Sequence, residues 1–479
     1  MTVVQRTNST SIQAAREETF GVLPTTPSWK LLQPNDIPNF GRTITTKARD
    51  PINRSRQKGK GSIVDMDSGY NNTQDFVMEL VKDWIDIFCF ANFSSVAAFV
   101  PTATTTTAYT VASGGALDEN TLVFARGFFN SENNGLKIVD AGAGATTIPV
   151  KTALTAETVS TTVELDVCGV QGATDDIEVD VNGDIISTLL DFTVLNLTVG
   201  QVIRVGDGDV SSIFSFSTTA DDGIVRILSI ETNKLTFDKT DAPFTIDDGS
   251  GKTIRLFFGP FVKNVSTDDA DFLEQSVQFE ISYNDLSPVE YEYSEGNYPN
   301  TFTLTTNLND LATVEMDFVG KNTSDPTTTR RAEAANGIDP IKVASINTTS
   351  DFARLRLVKA DETGLATYVS AFVLTIDNGI SPEKVLNQLP AAFMNYSNFN
   401  VSAEITVLFT DTDVITALNN NETVSVDFCL HSDDGCVYFD VPSMVLGGGT
   451  KNFPINESVN ISLTGQSFED EIFNSSIDI

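Results

Sequence analysis

Apolar side chains in this 479-residue chain follow two periods, each marking a different kind of element. Between Thr73 and Phe90, the residues Phe76, Val77, Leu80, Val81, Trp84, Ile85 and Phe88 recur three and four apart, while Asp75, Glu79, Lys82, Asp83 and Asp86 take the other face. That spacing predicts an amphipathic helix over residues 75–88, laid on a sheet. Elsewhere the period is two. Residues 277–283, 312–318 and 459–464 alternate apolar with polar side chains, as antiparallel strands do when one face covers a core. The order of strand and then helix occurs twice. Residues 61–67 lead into the helix just described; residues 401–409 lead into a shorter helix predicted over 413–418, followed by a strand at 423–428. One β-rich domain in two copies is the expected architecture.

The stretches between these elements predict the organisation. Residues 1–40 hold Pro24, Pro27, Pro34 and Pro38 with little periodicity, which reads as an extended N-terminal arm. Phe20, Leu23, Trp29, Leu31 and Leu32 are its candidate anchors on a neighbouring ring or subunit. A Thr-rich break after Pro101 and a Gly259-Pro260 turn bound an insert over 101–261. Within it, Phe129-Asn130-Ser131-Glu132-Asn133-Asn134-Gly135 resembles Phe216-Ser217-Thr218-Thr219-Ala220-Asp221-Asp222-Gly223, each with a strand behind it. Asn-Gly and Asp-Gly favour tight turns, so the insert is expected to be a pair of small β modules. Residues 321–342 read as a linker. The expected divisions are an arm over 1–40, a first domain over 41–100 and 262–330 interrupted by the insert, and a second domain over 331–479.

Charge narrows the function. The chain carries 65 acidic against 30 basic residues, a net charge of -35, on a sequence that is 41% hydrophobic with 32 Phe. Such a folded acidic surface repels DNA and anionic membranes. No apolar run approaches the length of a membrane span or a signal-peptide core, so assembly in a cytoplasm is expected. Cys89, Cys168, Cys429 and Cys436 are too scattered for a disulfide framework and read as thiols.

Catalytic chemistry is scarce. His431 is the one histidine. It lies in a Cys429 to Cys436 segment that imitates a metal cluster, but a hairpin turn at Asp434-Gly435 would separate the two cysteines by about 13 Å at ~3.3 Å per residue. Asp65-Met66-Asp67-Ser68-Gly69 lacks the glutamate of a calcium loop and reads as a turn into the helix. Gly447-Gly448-Gly449 has no following Lys-Ser/Thr and is no phosphate loop. No cofactor or metal is expected. One cluster stands out: Arg42, Lys47, Arg49, Arg54, Arg56, Lys58 and Lys60 lie within nineteen positions with a single acid, Asp50. In so acidic a chain, subunit docking is the favoured role over nucleic-acid contact.

Arg16-Glu17-Glu18-Thr19-Phe20-Gly21-Val22, Ala48-Arg49-Asp50-Pro51-Ile52 and Val64-Asp65-Met66-Asp67-Ser68-Gly69 together resemble the N-terminal region of major tail tube proteins of long, non-contractile-tailed bacteriophages. The Asn133-Asn134-Gly135 module resembles accessory modules of those proteins, and Ile380-Ser381-Pro382-Glu383-Lys384-Val385-Leu386 their C-terminal half. The resemblance implies a mainly β fold: duplicated β-sandwich or half-barrel tube domains, each flanked by one helix, with the small modules inserted. It implies rings of six domains stacked into a tube around a DNA channel, hence a ring trimer with pseudo-sixfold symmetry, or a hexamer. Long loops and the arm would contact the next ring. Other implied partners are a tape measure protein and tail terminator and distal tail proteins, with genomic DNA passing without tight binding and no membrane contact. The implied location is the virion tail. On the polar faces of the alternating strands, Glu280, Glu315, Asp317, Glu404 and Asp427 are the candidate lumen-facing acids. Competing readings are a β-rich adhesin or receptor-binding protein and a carboxylate-pair glycoside hydrolase, the latter lacking an aromatic-lined cleft.

Overall fold

The computed structural model describes residues 4–50, 52, 57–94, 97–159, 163–209, 211–218, 221–240, 244–331, 334, 337–339, 344–359, 364–366, 368–410, 412–432, 435–455, 458–470, 475–477 and 479. They are mainly antiparallel β with two α-helices, and they form two compact units. Unit 1 comprises Met1–Ala91, Asn264–Ser432 and Val441–Glu469; unit 2 comprises Asn92–Lys263, Asp433–Asp440 and Asp470–Ile479.

In unit 1 the first repeat consists of β1 (Thr10–Arg16), β2 (Lys30–Leu32), β3 (Asp36–Arg49), β4 (Gly59–Asp75), α1 (Met78–Phe88), β5 (Val277–Tyr283), β6 (Glu290–Asn307) and β7 (Thr313–Gly320). The second consists of β8 (Phe352–Lys359), β9 (Val369–Asp377), β10 (Asn400–Leu408), α2 (Asp413–Asn420), β11 (Thr423–Ser432), β12 (Gly435–Asn452), whose first residues through Asp440 belong to unit 2, and β13 (Asn460–Ser467). Both repeats pair their strands in one pattern. The chain β1·β5·β6·β7·β4·β3 in the first matches β8·β11·β12·β13·β10·β9 in the second. The registers agree as well: Thr305 pairs with Thr313, and Thr313 with Asp75, just as Asn452 pairs with Asn460, and Asn460 with Leu408. β6 and β9 join the two repeats into one sheet.

Helix α1 begins at Met78, three residues later than residue 75, because β4 runs through Asp75 and Asp75 pairs with Thr313. Its apolar face closes on the sheet through aromatics. Trp84 meets Phe318 edge-on at 6.3 Å, and Phe88 lies 5.5 Å from Phe302 and 5.3 Å from Phe318. In the second repeat Phe428 packs edge-on against Phe372 at 4.9 Å. The run Asp65 to Gly69 lies inside β4 rather than in a turn.

The arm is built into the subunit. β1 pairs along its length with β5, burying Ile12, Ala14 and Ala15, and Arg16 grips α1 through Asp86 at 2.6 Å and the Asp83 carbonyl at 2.7 Å. Nor do residues 321–342 behave as a linker where they are described. Thr327 bridges to Tyr291, Arg330 and Arg331 reach back onto β5 and β6, and Ala334 is buried beside Trp29.

Unit 2 holds two apolar cores, one around Tyr109, Val123 and Leu165 and one around Ile185, Phe216 and Leu256. The sequence likeness between the modules has a hydrogen-bonding basis. The Asn134 side-chain oxygen accepts from the Phe128 N–H at 3.0 Å, and the Asp222 carboxylate accepts from the Phe216 N–H at 3.1 Å. One residue earlier, Asn133 accepts from Thr155 N–H at 2.8 Å and Asp221 from Thr245 N–H at 2.7 Å. Gly135 and Gly223 then take positive φ to turn into the strand.

Candidate channel wall and assembly edges

Helix α1 covers one face of the first repeat's strands through Trp84 and Phe88, and the other face carries polar side chains. Strand alternation puts Val314, Met316 and Phe318 inward, so Glu315 and Asp317 project from the opposite side of β7. Rows of similar chemistry run across the paired strands. Thr73, Glu315, Thr303, Thr375, Ser402 and Gln466 stand in one row; Asn71, Asp317, Thr301, Asp377 and Asn400 stand in the next. The amide of Asn71 donates to Glu315 at 2.9 Å, and that of Asn300 to Asp317 at 2.8 Å. Glu404 is exposed on β10, opposite Val373 and Thr464. The face is therefore hydroxyl- and amide-rich, with carboxylates spaced across it.

Two of the expected wall acids do not belong to it. Glu280 is 1% exposed and receives Arg330 Nη2 at 2.7 Å, Tyr293 OH at 2.7 Å and Gln13 Nε2 at 2.9 Å. Asp427 is fully buried, between Arg354 Nε at 2.6 Å and Arg356 Nε at 3.3 Å. Both lie on the polar face of strands that border the wall, but a cationic cover shields each from solvent. A buried carboxylate requires such a partner. In the second repeat the arginines sit on the neighbouring strand β8, where the first repeat's β1 offers Gln13, and the strap from 321 onward supplies Arg330 instead.

The expected arm anchors contact their own subunit: Trp29 is buried, and Phe20, Leu23, Leu31 and Leu32 are half-buried. Trp29 is 1% exposed in a cluster with Ala15, Tyr293 and Ala334, and Leu23 packs against that cluster. Phe20 meets Tyr298 edge-on at 5.6 Å, while Leu31 and Leu32 pair with Gln13 and Ile12 in the β1·β2 ladder. The cause is β1 itself, which completes the sheet beside β5 and draws the following residues down with it.

The basic cluster follows the β3·β4 hairpin. Past Ser68 the pairing of β4 with β7 ends, and residues 42–49 and 59–66 form a two-stranded ribbon. Lys47, Arg49 and Lys60 are exposed along it. Lys58 is 3.8 Å from Asp50, and Arg42 turns back to Asp325. Arg54 and Arg56 lie outside the described residues. On the same ribbon Lys384 clamps Asp65 and Asp67, and its hydrogen bond holds the Asp65 carboxyl below its ordinary value of 3.8.

Among the described residues, two strand edges stand out besides the short end strands Lys30–Leu32 and Gly364–Ala366. β3 is bonded to β4 alone, and the end of β12, Thr450 to Asn452, to β13 alone. The triple glycine lies just before this edge. Gly448 and Gly449 take φ of 81° and 85° where β12 bulges against β13, and a Cβ on Gly448 would stand 2.9 Å from the Ser462 carbonyl. Among the described residues no group of three or more His, Cys, Asp or Glu is placed to hold a metal, and no helix is long and apolar enough to cross a membrane. Sequence reasoning missed the open edges, since an edge depends on which strands pair.

The architecture is thus a duplicated antiparallel sheet with one polar face, in which β3 and the end of β12 are each bonded on one side only. The chain belongs to the phage tail tube protein family, whose sequence profile matches residues 7–468. It is thus a structural protein of the virion tail, of a family that self-assembles into a tube. No curated protein matches the sequence.

Proposed function

We propose that three copies of this chain close into a ring of six repeats, and that rings stack into a tube whose channel is lined by the polar face. The observation that carries this reading is the correspondence between the junction inside the chain and the edges left open. β6 receives β9 with Thr303 opposite Thr375 and Thr305 opposite Val373. The counterpart of β6 is β12, and the counterpart of β9 is β3; these two carry the open edges. Laying β3 of a second copy on β12 repeats the internal junction, with Thr450 opposite Gly41 and Asn452 opposite Asn39. Such strand addition uses main-chain hydrogen bonds that the edges already present. The contact is heterologous, so it closes into a ring when the rotation allows. Six repeats, as the tube resemblance implies, then require three chains.

The wall suits passage of a duplex. Glu315, Asp317, Asp377 and Glu404 face phosphates with carboxylates among hydroxyls and amides, and Arg330, Arg354 and Arg356 are bound to Glu280 and Asp427 on the bordering strands, so DNA stays hydrated and slides during ejection. The basic ribbon from Arg42 to Lys60 docks on acidic surface of an adjacent subunit or ring. Tape measure, terminator and distal tail proteins would meet the tube at its lumen and ends, after assembly in the host cytoplasm. A first domain over 41–100 and 262–330, an insert over 101–261 and a second domain over 331–479 belong to this proposal, with the arm built into the first domain and with 433–440 and 470–479 given to the body of the insert.

The test is a cysteine pair, Asn39→Cys with Asn452→Cys in a Cys436→Ser background, because opposed residues on neighbouring strands bring their Cβ atoms to about 5 Å. Oxidation should give a covalent three-chain ring, and native mass should count three chains. Six chains per ring, or intact rings that do not cross-link, would overturn the reading.

A further inference from the structure

Unit 2 is assembled from three separated segments. The chain passes between the units after residues 91, 263, 432, 440 and 469, so 433–440 and 470–479 complete a body made mostly of 92–263. Each late segment fills a position that the rest of unit 2 leaves demanding. Arg226, on the strand Gly223–Glu231, is 7% exposed at its side chain and binds Asp238 through Nε at 3.0 Å and Nη2 at 2.7 Å. Its Nη1 binds Asp440 at 2.7 Å, and Asp440 is fully buried. At the other end, Val262 and Ile479 exchange both backbone hydrogen bonds at 2.9 and 2.8 Å, with Val262 1% and Ile477 0% exposed.

We propose that residues 435–440, which open β12, and residues 475–477 and 479, which follow β13, are a latch: unit 2 reaches its final fold only after β12 and β13 have formed. The physical reason is that both contacts complete the partners of buried polar groups: Arg226 keeps Asp238 in either case, and Asp440 is its second carboxylate. Without Asp440 the Arg226 guanidinium loses a charged partner in an interior that screens poorly, and without Ile479 the Val262 N–H and C=O lose theirs. A nascent or partly folded chain therefore has residues 92–263 collapsed but open. A closed unit 2 marks a subunit whose second repeat is complete. This device is independent of the ring arrangement, since it lies within a single chain.

Pulse-labelled hydrogen exchange during refolding of the full wild-type chain tests the order directly. Amides of the strands Gly223–Glu231 and Lys234–Thr240 and of residues 255–262 should gain full protection with or after β12 and β13; full protection before those strands form would overturn the proposal. At equilibrium, Asp440→Ala and Ile477→Asp should each raise exchange across 92–263 at least tenfold while β7 stays as protected as in the wild type. Unchanged exchange in 92–263, or an equal rise in β7, would also overturn it.

Discussion

Replacing Arg330 by Met isolates the charge cover over the first repeat. Arg330 places Nε at 3.0 Å and Nη2 at 2.7 Å from the same Glu280 oxygen, and Glu280 is 1% exposed. Breaking a buried ion pair from one side costs about 3–5 kcal/mol, because the remaining charge stays buried without compensation. The Arg330 side chain is itself 31% exposed, so part of its charge is screened and water can reach the vacated position. Tyr293 and Gln13 also remain bonded to the carboxylate. A cost of about 2–3 kcal/mol follows. Adding Glu280→Gln removes the stranded charge and keeps most of the hydrogen bonds, so the double variant should be more stable than Arg330→Met alone. Arg356→Met supplies a control. Asp427 keeps Arg354 at 2.6 Å, so the loss should be about 1 kcal/mol. Urea unfolding of the unassembled subunit reads this well, since the only tryptophans, Trp29 and Trp84, lie in unit 1, and Trp29 belongs to the Tyr293 cluster under the strap. If Arg330→Met falls within about 0.5 kcal/mol of wild type, or if Glu280→Gln deepens its loss, the pair does not hold the strap as argued.

Two further outcomes are expected. The Lys384 clamp on β4 should persist at pH 3.8 and open below it: the depressed Asp65 value means that the clamp's contribution is present above the unfolded pKa and is lost as pH falls through the folded one. Lower protection of residues 384–395 at pH 3 than at pH 5, relative to the intrinsic exchange rate at each pH, would confirm this, and lost protection already at pH 5 would refute it. Reversal of Lys47, Arg49 and Lys60 to Glu should leave the subunit folded and its ring intact yet impair growth into tubes. Sedimentation and electron microscopy should show wild-type tube growth weakening with salt, because exposed pairs are screened beyond about 8–10 Å at moderate ionic strength, and normal tube growth by the variant would move the ribbon away from the contact.

Local pattern carried the elements well and the covers poorly, for one physical reason. Helix α1 was legible because Phe76 to Phe88 repeat at helical spacing, and β7 because Val314, Met316 and Phe318 alternate with Glu315 and Asp317; both signals are complete within a dozen residues. Alternation says which side chains share a face, but not what comes to lie over it. Gln278 and Glu280 alternate with Phe279 as cleanly as Glu315 does with Met316, yet Glu280 is sealed by Arg330, fifty residues downstream. Trp29 carries the same lesson in reverse. Its proline-rich surroundings suggest a free arm, while the buried place it takes is created by the distant pairing of β1 with β5.

The differences between the repeats are where their roles divide. Each presents a buried carboxylate on the polar side of the strand after its helix, Glu280 on β5 and Asp427 on β11, and each neutralises it. The second repeat does so within its own sheet, through Arg354 and Arg356 on β8; the first has Ser11 and Gln13 on β1 and depends on Arg330 from the connection between repeats. That connection therefore joins the two copies and also completes the first one. A segment whose composition suggests a tether thus supplies a charge that the first repeat's own strands do not, which ties the integrity of the first repeat to the chain leading into the second.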